Sequence, residues 1–221
     1  MDDAPVFDRS YGRAPRQSRS RATLARIEDA AEALFADHGY DGTTVGDIVA
    51  RAGCSVGSFY ARFNDKEALL HHIHDHHCRK LIERIEFICG LLRAENAPLE
   101  MAIRQIARTL FVFGTGRRAL TRVFIQKSGV DADFHLRYAR AWAEVRGRLR
   151  PVLLARRREI ARPNPERAVD FVLQLMHAGW ANDVLHHGVK EITGQSSGDT
   201  LIDDLTDACV AYLAQPAAVN R

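Results

Sequence analysis

The stretch from Thr44 to Lys66, TVGDIVARAGCSVGSFYARFNDK, constrains the fold of this chain more than any other. Thr44 carries the short hydroxyl side chain that caps a helix N-terminus. Val45, Ile48 and Val49 recur at helical spacing, and Gly53 follows Ala52 where a helix stop needs a residue tolerant of the left-handed conformation. Ser55 can cap a second short helix, with Val56, Phe59, Tyr60 and Phe63 spread round it, before Asn64 and Asp65 end the pattern and open a third. Two short helices joined by a glycine-containing turn make a helix-turn-helix, whose second helix is sized for the DNA major groove. The side chains suit that use. Ser55, Gly57 and Ser58 are small enough for close approach, Tyr60 and Arg62 can donate to phosphate oxygens, and Lys66 sits in the first turn of the next helix.

With ATLARIEDAAEALFADHGY upstream, Ala22 to Tyr40, and NDKEALL downstream, the segment resembles the DNA-binding region of the TetR family of bacterial transcription regulators. The matched pattern runs for about fifty residues, far longer than a lone helix-turn-helix signature. The resemblance implies that Val56, Gly57 and Ser58 face base edges, that Thr44, Tyr60 and Lys66 hold phosphates, and that Phe63 packs beneath the motif.

The composition of the 221 residues, 46% hydrophobic with a formal charge of +3, allows a substantial core and does not by itself argue for nucleic acid. The distribution of charge says more. Arginines 9, 13, 16, 19, 21 and 26 occur without one intervening acidic residue, so Arg19 and Arg21 join the candidate DNA contacts. No apolar run approaches the ~18 residues of a membrane span, and Asp2 and Asp3 do not fit a signal peptide, so a cytoplasmic protein without a membrane partner is expected. Cys54, Cys78, Cys89 and Cys209 are widely spaced, which suggests neither a disulfide framework nor a zinc ribbon. Neither a nucleophile motif nor a glycine-rich phosphate loop occurs, so no enzyme activity and no cofactor are expected.

The chain reads as all-α, about nine helices, with a basic arm at 1–17, a three-helix DNA-binding head at 18–64 and a helical ligand-binding and dimerisation bundle at 65–221. A first helix from about Ser20 carries Leu24, Ile27, Ala31, Leu34 and Phe35, and Asp65 caps a long fourth. Within the fourth lies HHIHDHHC, where His71, His74 and Cys78 share one face and His72 and His76 another. The reading adopted is an exposed polar face with no metal, with metal sensing as the alternative. Beyond it, breaks are expected at Asn96 to Pro98, Gly114 to Gly116, Ser128-Gly129, Arg162 to Pro165 and Gly194 to Gly198, with Pro98 in the first turn of the fifth helix. The arginine-rich end of the seventh helix, Arg146 to Arg158, reads as a solvated face.

Candidates for an apolar ligand pocket are Phe111, Phe124, His135, Trp142, Met176, His177 and Trp180. The last two helices carry apolar residues on two faces and so want two partners. The resemblance implies that Val172, Leu175, Gly179, Leu201, Leu205, Cys209 and Tyr212 form a homodimer interface, and that the dimer binds a double-stranded, near-palindromic operator until an unidentified small-molecule ligand releases it. An activator or a corepressor-dependent repressor uses the same parts, whereas in an architectural DNA-binding protein so large a bundle would be superfluous.

Overall fold

The computed structural model describes residues 16–194 and 198–216, with side chains described from Ser20 to His186 and from Gly198 to Pro216. Among these residues there are nine α-helices and no strand: α1 Arg16–His38, α2 Val45–Ala52, α3 Val56–Tyr60, α4 Lys66–Ala94, α5 Leu99–Gly116, α6 Arg118–Val130, α7 Ala132–Leu154, α8 Pro165–Thr193 and α9 Gly198–Ala214. They form two compact units, Met1–Leu69 and Leu70–Arg221. The all-α architecture of about nine helices is as the sequence indicates. The first helix starts at Arg16, four residues ahead of the expected Ser20, so the arm that remains, residues 1–15, lies outside the described residues.

In the head, α1 packs on α2 and α2 on α3. Ile27, Ala31 and Phe35 of α1 meet Ile48 and Phe59 in a core where each is at most 2% exposed. Phe63 is buried beside Phe59, their ring centroids 5.6 Å apart. Burial of each such side chain contributes about 1.5–3 kcal/mol, which holds a helix as short as α3 that would not persist alone.

In the second unit α5 packs on α6, α7, α8 and α9, and nine of its residues are buried. Its N-terminus has an unusual cap. Pro98 stands just before the helix and makes no side-chain cap, and the Leu99 amide donates instead to Glu159 Oε2 at 2.9 Å. Ser128 and Gly129 do not break the chain; α6 runs through them to Val130, and Asp131 then caps α7 by accepting from the Phe134 amide at 2.9 Å. Sequence punctuation alone misplaced that stop, since a serine and a glycine near a helix end cost little there.

The arginine-rich end of α7 is not uniformly solvated. Arg156 is only 7% exposed, and its guanidinium donates to the carbonyls of Leu92 at 2.7 Å, Val152 at 2.6 Å and Ala97. It joins the end of α4, the loop after it and the end of α7, where carbonyls run out of helical partners. Asn96 turns that loop with φ 45°, a left-handed conformation that asparagine tolerates.

α8 bends at His186, whose φ of −117° and ψ of 17° are not helical. Two arginines of α6 hold the carbonyls at the bend. Arg118 donates to the Asp183 carbonyl and carboxylate, each at 2.9 Å, and Arg122 donates to the Val184 carbonyl at 3.4 Å.

Candidate DNA interface and ligand cavity

Local sequence sets the geometry of the head. Thr44 and Asp47 form a reciprocal capping box: the Asp47 amide donates to Thr44 Oγ1 at 3.2 Å, while the Thr44 amide and hydroxyl donate to Asp47 Oδ2 at 2.9 and 2.6 Å. The Thr44 hydroxyl beside it holds the Asp47 carboxyl below its usual range. Gly53, at φ 59°, ends α2 in the left-handed conformation expected of it. Ser55 caps α3 by accepting from the Ser58 amide at 3.1 Å, and the two serine hydroxyls lie 2.9 Å apart.

The candidate DNA contacts fall into two groups. Val56 and Tyr60, 52% and 54% exposed and four residues apart, form an open face with Ser55 and Gly57 exposed beside them. A valine left half in water is unusual and fits the methyl group of a thymine. Arg21 is exposed on α1, and the side chain of Arg19 lies outside the described residues. Lys66 and Arg62, by contrast, already serve the fold. Lys66 Nζ donates to the carbonyls of Tyr40 and Thr43 at 2.6 and 2.7 Å and lies over the Tyr40 ring. Arg62 donates to the Ser58 carbonyl at 2.6 Å and the Ser20 hydroxyl at 3.0 Å, tying α3 to α1. A phosphate at the Thr44 hydroxyl therefore competes with a bond already made, whereas Arg62 and Lys66 would meet one through their remaining N–H groups.

In the second unit, α4, α6, α7 and α8 enclose a narrow cavity of about 50 Å³ that four of the sequence candidates line: Phe124, Trp142, His177 and Trp180. Three do not. Phe111 and Met176 are at most 1% exposed inside the core, and His135 is on the surface, its Nδ1 3.1 Å from the Ser128 carbonyl. Sequence reading missed His74, His77, Cys78 and Tyr138, which also line it, with Leu110 of α5 among the apolar remainder.

The histidine run is thus not an exposed face. His74 and His77 are 1% and 7% exposed, and His71, His72 and His76 are half-buried. Three phenylalanines account for this. His74 meets Phe124 and Phe134 edge-on at 5.0 and 5.1 Å, and His77 lies 4.5 Å from Phe113 and 5.5 Å from Phe124. The three- and four-residue spacing of His74, His77 and Cys78 was the available signal; polar composition outweighed it. No group of three His, Cys, Asp or Glu side chains among the described residues could hold a metal.

Burial also sets protonation. It pushes His77 down to about 3 and His177 to about 4, lowers His74, and raises the Cys78 thiol to about 12. Tyr138 and His177 share a hydrogen bond of 3.0 Å across the cavity, and the phenol is likewise pushed up by burial. Trp180 packs on Gly114 so tightly that a Cβ there would lie 1.9 Å from the indole nitrogen. Gly114→Ala should therefore move the Trp180 ring and destabilise the unit by about 1–3 kcal/mol. Tryptophan emission and a urea titration of this variant check it; unchanged spectra and midpoint would refute the packing.

Of the candidate interface residues, Val172 and Cys209 are fully buried within the chain, which removes them from any surface a second chain could touch. Gly179 lies directly against Leu205, where an added Cβ would come within 2.6 Å of Leu205 Cδ1. The apolar residues left half-buried or exposed on this side are Phe171, Leu175 and Ala178 of α8 and Leu201, Leu205, Ala208 and Tyr212 of α9.

A capped two-helix motif on a helical support, presenting an exposed face of small and hydrogen-bonding side chains, defines a helix-turn-helix DNA-binding protein. Residues 27–73 match the family profile described as "Bacterial regulatory proteins, tetR family". The A-factor receptor protein of Streptomyces griseus is 37% identical over 88 residues, a match that spans 40% of this chain and 29% of that receptor. Among solved structures, a Mesorhizobium loti protein described as a TetR-family transcriptional regulator is 26% identical with a TM-score of 0.64, over 89% of this chain and 97% of that one. A Syntrophomonas wolfei protein shares the fold at a TM-score of 0.69 and 15% identity, over 90% and 99% of the two chains. Over residues 27–73 the chain therefore carries the sequence pattern of the TetR family of bacterial regulatory proteins, and most of its length shares the fold of solved structures described as TetR-family regulators. No described helix is long and apolar enough to cross a membrane.

Proposed function

We propose that this regulator is a repressor that binds a near-palindromic DNA operator as a homodimer and releases it when a small molecule occupies the α4–α8 cavity. The observation that carries the DNA reading is the open Val56–Tyr60 face, held in place by Ser55, Arg62 and Lys66. Val56 and Gly57 read base edges, and Tyr60 and Arg21 hold phosphates. The outer apolar residues of α8 and α9 receive a second copy of the chain, which a two-fold operator requires. Release is a population shift. The ligand binds the DNA-incompetent state more tightly, and a coupling of about 1–3 kcal/mol changes operator affinity 5- to 150-fold.

Selection of bound sequences from a random duplex library should yield a site with two-fold symmetry. Mobility-shift titration of that site with Tyr60→Ala should show roughly tenfold weaker binding, the loss of one good phosphate contact, with an unchanged thermal midpoint. Sequence-indifferent binding would sink the regulator-at-an-operator reading, and unaltered affinity would remove Tyr60 from the contact set.

A further inference from the structure

We propose that the ligand of this cavity is an uncharged, compact molecule built on a single flat ring and carrying a hydrogen-bond acceptor for the indole N–H of Trp180. The proposal rests on the reading that the cavity receives the releasing ligand. Four observations converge on it. First, none of the lining residues is Asp, Glu, Lys or Arg, and a ligand charge buried there would find no partner. Burial keeps His77 and His177 neutral at physiological pH, so they supply no hidden countercharge. Second, the walls are rings. His177 stacks on Trp142 at 4.2 Å and 25° and approaches Trp180 at 5.5 Å, with Phe124 and His74 in edge contact on the far side, an arrangement that favours a flat π-face between them.

Third, about 50 Å³ is room for about three to five waters at ~10–15 Å³ each, which suits one ring with a short substituent and excludes a fused polycycle. Fourth, one fully buried polar atom of the lining has no hydrogen-bond partner. Tyr138 and His177 bond each other, and Thr121 Oγ1 donates to the Gly114 carbonyl at 3.2 Å, whereas Trp180 Nε1 is buried with no hydrogen bond. An uncharged oxygen on the ligand would satisfy it.

A charged end could only sit in the adjoining groove between α4 and α7, which shares His74, Cys78 and Ala141 with the cavity. That groove offers three arginines against three carboxylates, and Arg137 is already held by both oxygens of Asp75 at 2.7 and 2.8 Å. It favours neither sign.

Calorimetric titration of the full chain without DNA, using four one-ring probes of similar size, tests the inference. Acetophenone should bind once per chain, about tenfold or more tighter than benzoate or benzylammonium. In Trp180→Phe, acetophenone should weaken about fivefold, while ethylbenzene, which has no acceptor, should bind as before and so report an intact cavity. Equal or tighter binding of benzoate or benzylammonium overturns the uncharged class, and no binding by any probe at millimolar concentration overturns the single-ring size. An equal effect of Trp180→Phe on acetophenone and ethylbenzene overturns the acceptor. Operator release is scored separately by mobility shift: acetophenone that binds without releasing DNA leaves this inference standing and removes the release reading. A charged probe that binds and releases DNA does the reverse.

Discussion

Taking the protein from pH 6.5 to pH 4.5 should cost its second unit about 5 kcal/mol of stability through His77 and His177 alone. In an unfolded chain both histidines titrate near 6.5, whereas in the fold burial holds them to about 3 and about 4. For His77 the cations Arg117 and Lys80, with His74 and His76, push the same way; for His177 burial alone acts. Above pH 6.5 both states are neutral and these groups give no pH dependence. Below it the unfolded chain takes up protons that the folded chain refuses, and stability falls by about 1.4 kcal/mol per pH unit for each histidine until its folded pKa is passed. The window therefore runs from 6.5 down to about 4 for His177 and about 3 for His77, and the lowered His74 adds to it. A loss of that size equals most of the stability of an ordinary small domain. Urea titrations across pH 7.5 to 4.5 measure it, and His77→Phe, which keeps a ring against Phe113 and Phe124, should flatten the profile. A profile identical in wild type and His77→Phe would show that His77 is not held neutral by the fold.

Arg156→Ala should destabilise the second unit by about 3–5 kcal/mol. The substitution leaves the carbonyls of Leu92, Val152 and Ala97 without their donor in a buried setting, and each unsatisfied buried group costs about 1–3 kcal/mol, partly relieved by water entering the space. Arg156→Lys should recover only part of the loss, because one ammonium on a flexible stem does not reproduce the planar fork that reaches three helix-end carbonyls. Chemical denaturation followed by circular dichroism reads both. A cost below 1 kcal/mol for Arg156→Ala would mean that the three carbonyls find water as readily as the guanidinium. Arg157 and Arg158 next to it are exposed, so the same change there serves as the control.

These two side chains also show where sequence reading succeeds and where it stops. The head was legible because its signals are local: Thr44, Gly53 and Ser55 act on backbone atoms within a few residues, and each occupies the capping or stop position that its chemistry suggests. His74, His77 and Arg156 were not. What neutralises a histidine or buries a guanidinium is a ring or carbonyl dozens of residues away, such as Phe124 for His74 or Leu92 for Arg156, and composition along the chain holds no trace of it. Polar residues were therefore assigned to the surface by their average behaviour, and Phe111 and Met176 to the cavity by theirs. The candidates that line the cavity, Phe124, Trp142, His177 and Trp180, lie on three different helices, so only packing could separate them from their buried neighbours.

The bend at His186 is tied to α6. Carbonyls at an interrupted helix gather partial negative charge, and here two cations one turn apart on α6 carry it. Between those cations in sequence lies Thr121, which lines the cavity, and six residues before the bend lies Trp180, which lines it from α8. Hydrogen bonds weaken steeply with small displacements, so sliding α6 by a fraction of an ångström under a bound molecule strains both caps together. The two arginines thus tie the direction of α8 beyond His186 to the position of α6, the helix that also gives Thr121 and Phe124 to the cavity wall.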